Sequence, residues 1–268
     1  MKNNIDTQLE KVISEKRIGV MTHVVIGYPT IETTLDLVRT MAESGVDLIE
    51  LQIPFSDPLA DGPTIQQACE ASLASGIKVA DAFKVARQAS TVVQIPLLFM
   101  AYFNTVYKYG IEKFCADAEA AGITGLIVPD VPLEAAEHEG FLVACKRHNL
   151  HYIITLSPTS TSSRIKKNAS IAGGFAYCTA RVGATGAGGT LDSNITSYLQ
   201  EVRKEITVPL AVGFGISKRE HLDMLAPYAS VAVIGSAIID VMNRAAPSEA
   251  LRDVRAFLEA LQSTDASE

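Results

Sequence analysis

Residues 48–63 read Leu48-Ile49-Glu50-Leu51-Gln52-Ile53-Pro54-Phe55-Ser56-Asp57-Pro58-Leu59-Ala60-Asp61-Gly62-Pro63. The first six form a short aliphatic run closed by a proline, interrupted only by Glu50 and Gln52. A strand with one wet face alternates apolar and polar residues, whereas a nearly unbroken apolar run belongs to a strand covered on both faces, as in a parallel sheet under helices. Seven more such runs occur: Val20 to Ile26, Ile95 to Ala101, Gly125 to Val128, Tyr152 to Leu156, Gly174 to Cys178, Pro209 to Gly213 and Val231 to Ile234. Between them the apolar spacing is helical, over Ile31 to Ser44, Val79 to Ser90, Ile111 to Ala121, Leu133 to Asn149, Ser160 to Asn168, Ile195 to Glu205, Lys218 to Ala226 and Pro247 to Gln262. A further helix is predicted from Asp6 to Lys16, ahead of the first strand. Gly45, Gly110 and Gly122 mark helix edges, Thr159-Ser160 offers a cap, and Ser217 stands as an N-cap before Lys218.

Eight strand-then-helix units over about 250 residues predict an α/β fold, a single (β/α)8 TIM barrel with an extra N-terminal helix. The stretch from Pro54 to Lys78 is its one long connection, an extended loop after the second strand. A doubly wound open sheet, the alternative, usually stops at five or six strands. Residues 1–268 are expected to form one domain, with 263–268 a frayed tail.

The chain has 268 residues and a formal net charge of −7, from 30 carboxylates against 23 Lys and Arg. It has no general counter-charge for a nucleic-acid backbone, so an anionic ligand needs local donors. Cys69, Cys115, Cys145 and Cys178 lie far apart in or beside apolar runs and read as buried reduced thiols. No run reaches the ~18 apolar residues of a membrane span. The charged N-terminus lacks the apolar stretch of a signal peptide, which predicts a cytoplasmic protein. His148 and His151 read as a surface or cap pair with no carboxylate or thiol to complete a metal set. No Walker, dinucleotide or nucleophile-elbow motif is present, and no metal or cofactor is expected in this chain.

In a barrel of this type the reactive groups lie at the carboxyl ends of the strands and in the loops that follow. Glu50 sits inside an apolar strand, where desolvating a carboxylate costs several kcal/mol, and this suits a proton-transfer role. A solvated strand mouth or a lysine partner would also accommodate it. Asp61 lies eleven residues on, in a Pro- and Gly-punctuated loop able to fold back over the mouth, where the two carboxylates would act as an acid and an ionised partner. A plain turn residue in Asp-Gly-Pro is the other reading. Glycine-rich segments follow the last three strands: Gly183-Ala184-Thr185-Gly186-Ala187-Gly188-Gly189, Gly213-Phe214-Gly215-Ile216-Ser217 and Gly235-Ser236-Ala237. Backbone N–H groups in such loops, with a helix N-terminus and the Ser236 hydroxyl, would bind a phosphate.

The run from Glu50 to Gln66 resembles the tryptophan synthase α-subunit family. The resemblance continues in order through Val128-Pro129-Asp130-Val131-Pro132, Tyr177-Cys178-Thr179-Ala180-Arg181 and the three glycine segments. It implies cleavage of indole-3-glycerol phosphate to indole and glyceraldehyde 3-phosphate, and an α2β2 assembly whose β subunit alone carries pyridoxal phosphate. Glu50 would then move protons at indole C3 and at the side-chain hydroxyl, while Asp61 binds the ring N–H. His23, Ile65, Met100 and Tyr102, with Tyr177, Thr185 and Phe214, would line the ring site. Gly186, Gly213, Gly215, Gly235 and Ser236 would hold the phosphate. Pro54, Asp57, Pro58, Asn104, Pro129 and Pro132 would meet the β subunit. The loops from Pro54 to Asp61 and from Arg181 to Gly189 would close over substrate, with Thr185 bonding Asp61. A stand-alone lyase releasing free indole and a non-catalytic activating subunit are the alternatives. The chain departs from the family pattern at Gly27-Tyr28-Pro29, where Gly-Asp-Pro is usual, at His23 in place of an aromatic, at Gln52 in place of glycine and at Ala101 in place of a larger Met.

Overall fold

The structure, a computed structural model, describes residues 2–179, 193–213 and 215–263. The chain runs α1 (Asn4–Ser14), β1 (Gly19–Val25), α2 (Ile31–Glu43), β2 (Leu48–Gln52), α3 (Pro63–Ala74), α4 (Val79–Val92), β3 (Leu97–Met100), α5 (Phe103–Tyr109), α6 (Ile111–Ala120) and β4 (Ile123–Ile127). It continues through α7 (Leu133–His138), α8 (Phe141–Arg147), β5 (His151–Leu156), α9 (Ser162–Ala169), β6 (Ala176–Thr179), α10 (Ser193–Glu205), β7 (Leu210–Gly213), α11 (Arg219–Leu225), β8 (Val231–Ile234), α12 (Ser236–Arg244) and α13 (Ala250–Gln262). The strands pair in parallel, each with the next, and β1 pairs β8 to close the barrel.

Each strand carries apolar residues on both faces because each face has its own core, with the polar His23, Glu50 and Gln52 toward the carboxyl ends of β1 and β2. Met21, Leu48, Leu98, Ile127, Ile153, Phe175, Ala211 and Val233 pack together inside the barrel. The residues alternating with them, among them Val20, Ile49, Phe99, Leu126 and Ile154, pack under the helices. The two-residue period of a strand therefore sorts one continuous run into two cores. Ile5 and Leu9 of α1 belong to the inner cluster and plug the amino-terminal end. That helix is set by a capping box, in which Ile5 N–H donates to Asn3 Oδ1 at 2.9 Å and Asn3 N–H to Asp6 Oδ2 at 2.7 Å. With the floor sealed, the open end is the one at which the strands finish.

Several expectations are corrected. The helix expected from Leu133 to Asn149 is broken at Gly140, whose φ of +74° no helix sustains, into α7 and α8. The Pro54 to Lys78 connection contains α3, and α5 and α12 are helices that apolar spacing did not show. The cap of α9 is Thr161, which accepts from Arg164 N–H, and α11 is preceded by Lys218 in the cap position. Of the expected surface or cap pair, His148 is the C-cap of α8, and only His151 departs from the expectation. His148 lies between Glu112 and Glu119, and His151 is buried in β5 with Nε2 2.7 Å from Asp6 Oδ2, tying α1 to the barrel. Chain folding supplies carboxylates that linear spacing hides. All four cysteines are buried and unpaired, and no described helix is long and apolar enough to cross a membrane.

Candidate active site

The parallel register places His23 of β1 beside Glu50 of β2. Both point inward and are nearly sealed from solvent, at 4% and 3% exposure. His23 Nδ1 lies 3.3 Å from Glu50 Oε1. The remaining polar atoms of this pair, His23 Nε2 and Glu50 Oε2, are buried without a hydrogen-bond partner among the described residues, and so is Gln52 Oε1. Buried polar groups are nearly always paired in folded proteins; Gln52 also bears on the His23 ring, so Glu50 Oε2 is the atom here most clearly left for something polar.

Asp61 comes to the same place from the loop after β2. Gln52 Nε2 donates to Asp61 Oδ2 at 2.7 Å, and the Tyr102 hydroxyl donates to the same oxygen at 2.9 Å. Tyr102 is itself fixed, since its hydroxyl accepts from Ala60 N–H at 3.0 Å and its ring stacks on Phe55 at 5.1 Å. The loop therefore folds back over the mouth, as the sequence suggested. Burial pushes the Asp61 carboxyl above its ordinary pKa, against the opposing pull of the His23 charge and the Gln52 and Tyr102 hydrogen bonds. Burial pushes His23 down, but the charge of Glu50 and its contact with the ring outweigh this and the net shift is upward. The Tyr177 hydroxyl is raised by burial and by both carboxylates, which keeps it neutral.

The glycines of the last two strands reach this rim. A Cβ on Gly235 would lie 3.6 Å from Ile65 Cδ1 and 3.7 Å from His23 Cβ, and one on Gly213 would lie 3.3 Å from the Tyr177 hydroxyl. α12 begins at Ser236 directly after Gly235, and its N-cap has no side-chain hydrogen bond; Ile238 N–H donates to Gly235 C=O, and the N–H groups of Ser236 and Ala237 have no partner among the described residues. Gly215 adopts φ +81°, open to glycine alone without strain. Met100 is buried at the end of β3 inside the barrel. Thr185, Gly186 and Phe214, with the rest of the Arg181 to Gly189 loop, lie outside the described residues.

Of the residues expected at a partner surface, Pro54 and Pro58 are buried within the chain itself, because the folded-back loop packs them inward, while Asp57, Asn104 and Pro132 are exposed and Pro129 is half-buried. Two features had been given no role. Leu59 stands 87% exposed on the mouth loop. Gln52 bridges strand and loop, and its position two residues after Glu50, hence on the same face, was the signal that could have found it. Among the described residues no group of three or more His, Cys, Asp or Glu is arranged to hold a metal ion.

A buried carboxylate beside a histidine, with glycines and a helix start on the same rim at the carboxyl ends of a closed parallel barrel, is an arrangement shared with (β/α)8 barrel enzymes that act on phosphorylated substrates. Residues 9–266 match the family described as tryptophan synthase alpha chain, and the chain belongs to that family. It is 46% identical over 243 residues to the tryptophan synthase alpha chain of Desulfotalea psychrophila, a match covering 89% of this chain and 95% of that one. To the alpha chain of Desulforapulum autotrophicum it is 42% identical, covering 94% and 99%. The tryptophan synthase subunit alpha of Legionella pneumophila superposes with a TM-score of 0.88 at 30% identity, covering 97% of each chain. Tryptophan synthase from M. tuberculosis, in an open form with BRD0059 bound, gives 0.87 at 28%, covering 97% of this chain and 98% of that one. The protein is accordingly a lyase of tryptophan biosynthesis.

Proposed function

We propose that Glu50 and Asp61 divide the chemistry of indole-3-glycerol phosphate cleavage. Glu50, as the acid, gives its proton to indole C3, and the positive charge that develops on the ring nitrogen is met by Asp61 accepting the ring N–H. The Glu50 carboxylate then takes the proton of the side-chain hydroxyl. The C–O π bond forms, the C–C bond breaks and its electron pair returns to the ring. Indole and glyceraldehyde 3-phosphate leave, and Glu50 is an acid again.

One observation carries this reading: an unpartnered, buried Glu50 Oε2 on the same rim as Asp61 and the uncapped start of α12. Both donors to Asp61 go to Oδ2, which leaves its other oxygen for the substrate. Gly213, Gly215, Gly235 and Ser236 would receive the phosphate, with Ile65, Met100, Tyr102 and Tyr177 around the ring. Exposed Leu59 and Asp57 on the mouth loop favour the α2β2 assembly over a stand-alone lyase, because a β subunit seated there would act on the loop that holds Asp61.

The test is indole release from indole-3-glycerol phosphate, with and without the β subunit. The β subunit should stimulate turnover strongly. Glu50→Gln should lower kcat by more than a thousandfold with the fold unchanged by circular dichroism. Near-normal turnover by that variant would refute the assignment.

A further inference from the structure

His23 does more than line a ring pocket. It is buried beside Glu50, with Nδ1 3.3 Å from Oε1, and the Gln52 side chain bears on the same ring. The groups facing it can be named element by element. Glu50 and Gln52 come from β2, and Asp61 comes from the mouth loop. Gly235 after β8 and Ile65 of α3 bring no titratable group near it. Tyr177 of β6 shares the same carboxylates.

We infer that His23 is a positioning residue for Glu50, and that the protonation of the imidazole sets the strength of their contact. Contact with Nδ1 fixes the carboxyl and leaves Oε2 for the substrate. When Glu50 protonates indole C3 it becomes a carboxylate beside the ring. An imidazolium there holds the carboxylate more firmly than a neutral imidazole does. Turnover should therefore follow His23 titration. Because the two groups are in contact, the titration belongs to the pair.

The inference rests on Glu50 being the proton donor, and the experiment separates the two. It compares wild type, His23→Phe and His23→Asn, each with the β subunit, in pH profiles of kcat and KM for indole release. An inflection above the ordinary imidazole pKa of 6.5 is expected in wild type and absent from both variants. His23→Phe, which keeps a ring but has no donor, should lose at least tenfold in kcat with KM within threefold. His23→Asn, which keeps an N–H toward Glu50 but carries no charge, should recover only part of the loss and give a flat profile. Imidazole 15N shifts supply a readout independent of turnover: the His23 midpoint should lie above 6.5 and fall in Glu50→Gln. Wild-type kcat and inflection in His23→Phe, or a midpoint indifferent to Glu50→Gln, overturns the positioning role alone. Failure of wild type to release indole overturns the lyase reading and this inference with it.

Discussion

Asp61 shows how a residue acquires a function from what is placed around it. Taken alone it is an aspartate in a turn. In the folded chain its Oδ2 accepts from Gln52 and Tyr102, which holds the carboxylate in one orientation, as the role proposed for it requires. Asp61→Asn replaces an oxygen by a donor and removes the charge that opposes a cationic ring nitrogen. Its kcat should fall by about a hundred- to a thousandfold, the magnitude typical of losing one preorganised electrostatic contact. KM should change far less, and steady-state indole release measures both.

At the scale of elements, the mouth is built by connections that must approach closely. After β1 the chain turns at Gly27, with φ +82°, and a Cβ there would lie 2.5 Å from Ile77 Cγ1 and 2.8 Å from Ser72 Oγ. Ser72 Oγ in turn donates to Ile26 C=O at 2.6 Å, fastening α3 to the end of β1. Nearby, the Tyr28 hydroxyl donates to Asn243 Oδ1 at 2.7 Å and ties the same turn to α12. Gly27→Ala combines a left-handed backbone with a clash in a packed site, and should lower stability by about 2–4 kcal/mol. The denaturant midpoint measures this, with the slope unchanged. The elements least visible in the sequence are those that tertiary contacts support. α5 has seven residues, of which only Val106 is fully buried, so it shows no periodic stripe. α12 follows Gly235 so closely that its first residues read as part of an anion-binding loop rather than a helix.

At the scale of the whole molecule, the barrel separates stability from chemistry. α1 closes the amino-terminal end with Ile5 and Leu9, and Asp47 draws that end together by accepting from Gln8, Arg17 and Val20 N–H. Glu50, Asp61 and the glycines occupy the other end. Ile5→Ala should therefore lower stability by about 2–5 kcal/mol through the cavity it leaves. It should leave kcat and KM for indole release within twofold of wild type. A large change in either constant would mean that the floor and the mouth are coupled.

The sequence determined the barrel and singled out Glu50. A strand under helices must be apolar on both faces, so eight such runs are visible without knowing their partners, and one carboxylate inside such a run is conspicuous because its burial is costly. The pairing of His23 with Glu50 was decided by the register of β1 against β2. The bridge from Gln52 to Asp61 was decided by the path of the mouth loop. The carboxylates around His148 and the one beside His151 come from helices 29 to 145 residues away in the chain. These depend on tertiary structure because a hydrogen bond reads distance in space, which only the closed fold sets, whereas hydrophobic patterning reads distance along the chain.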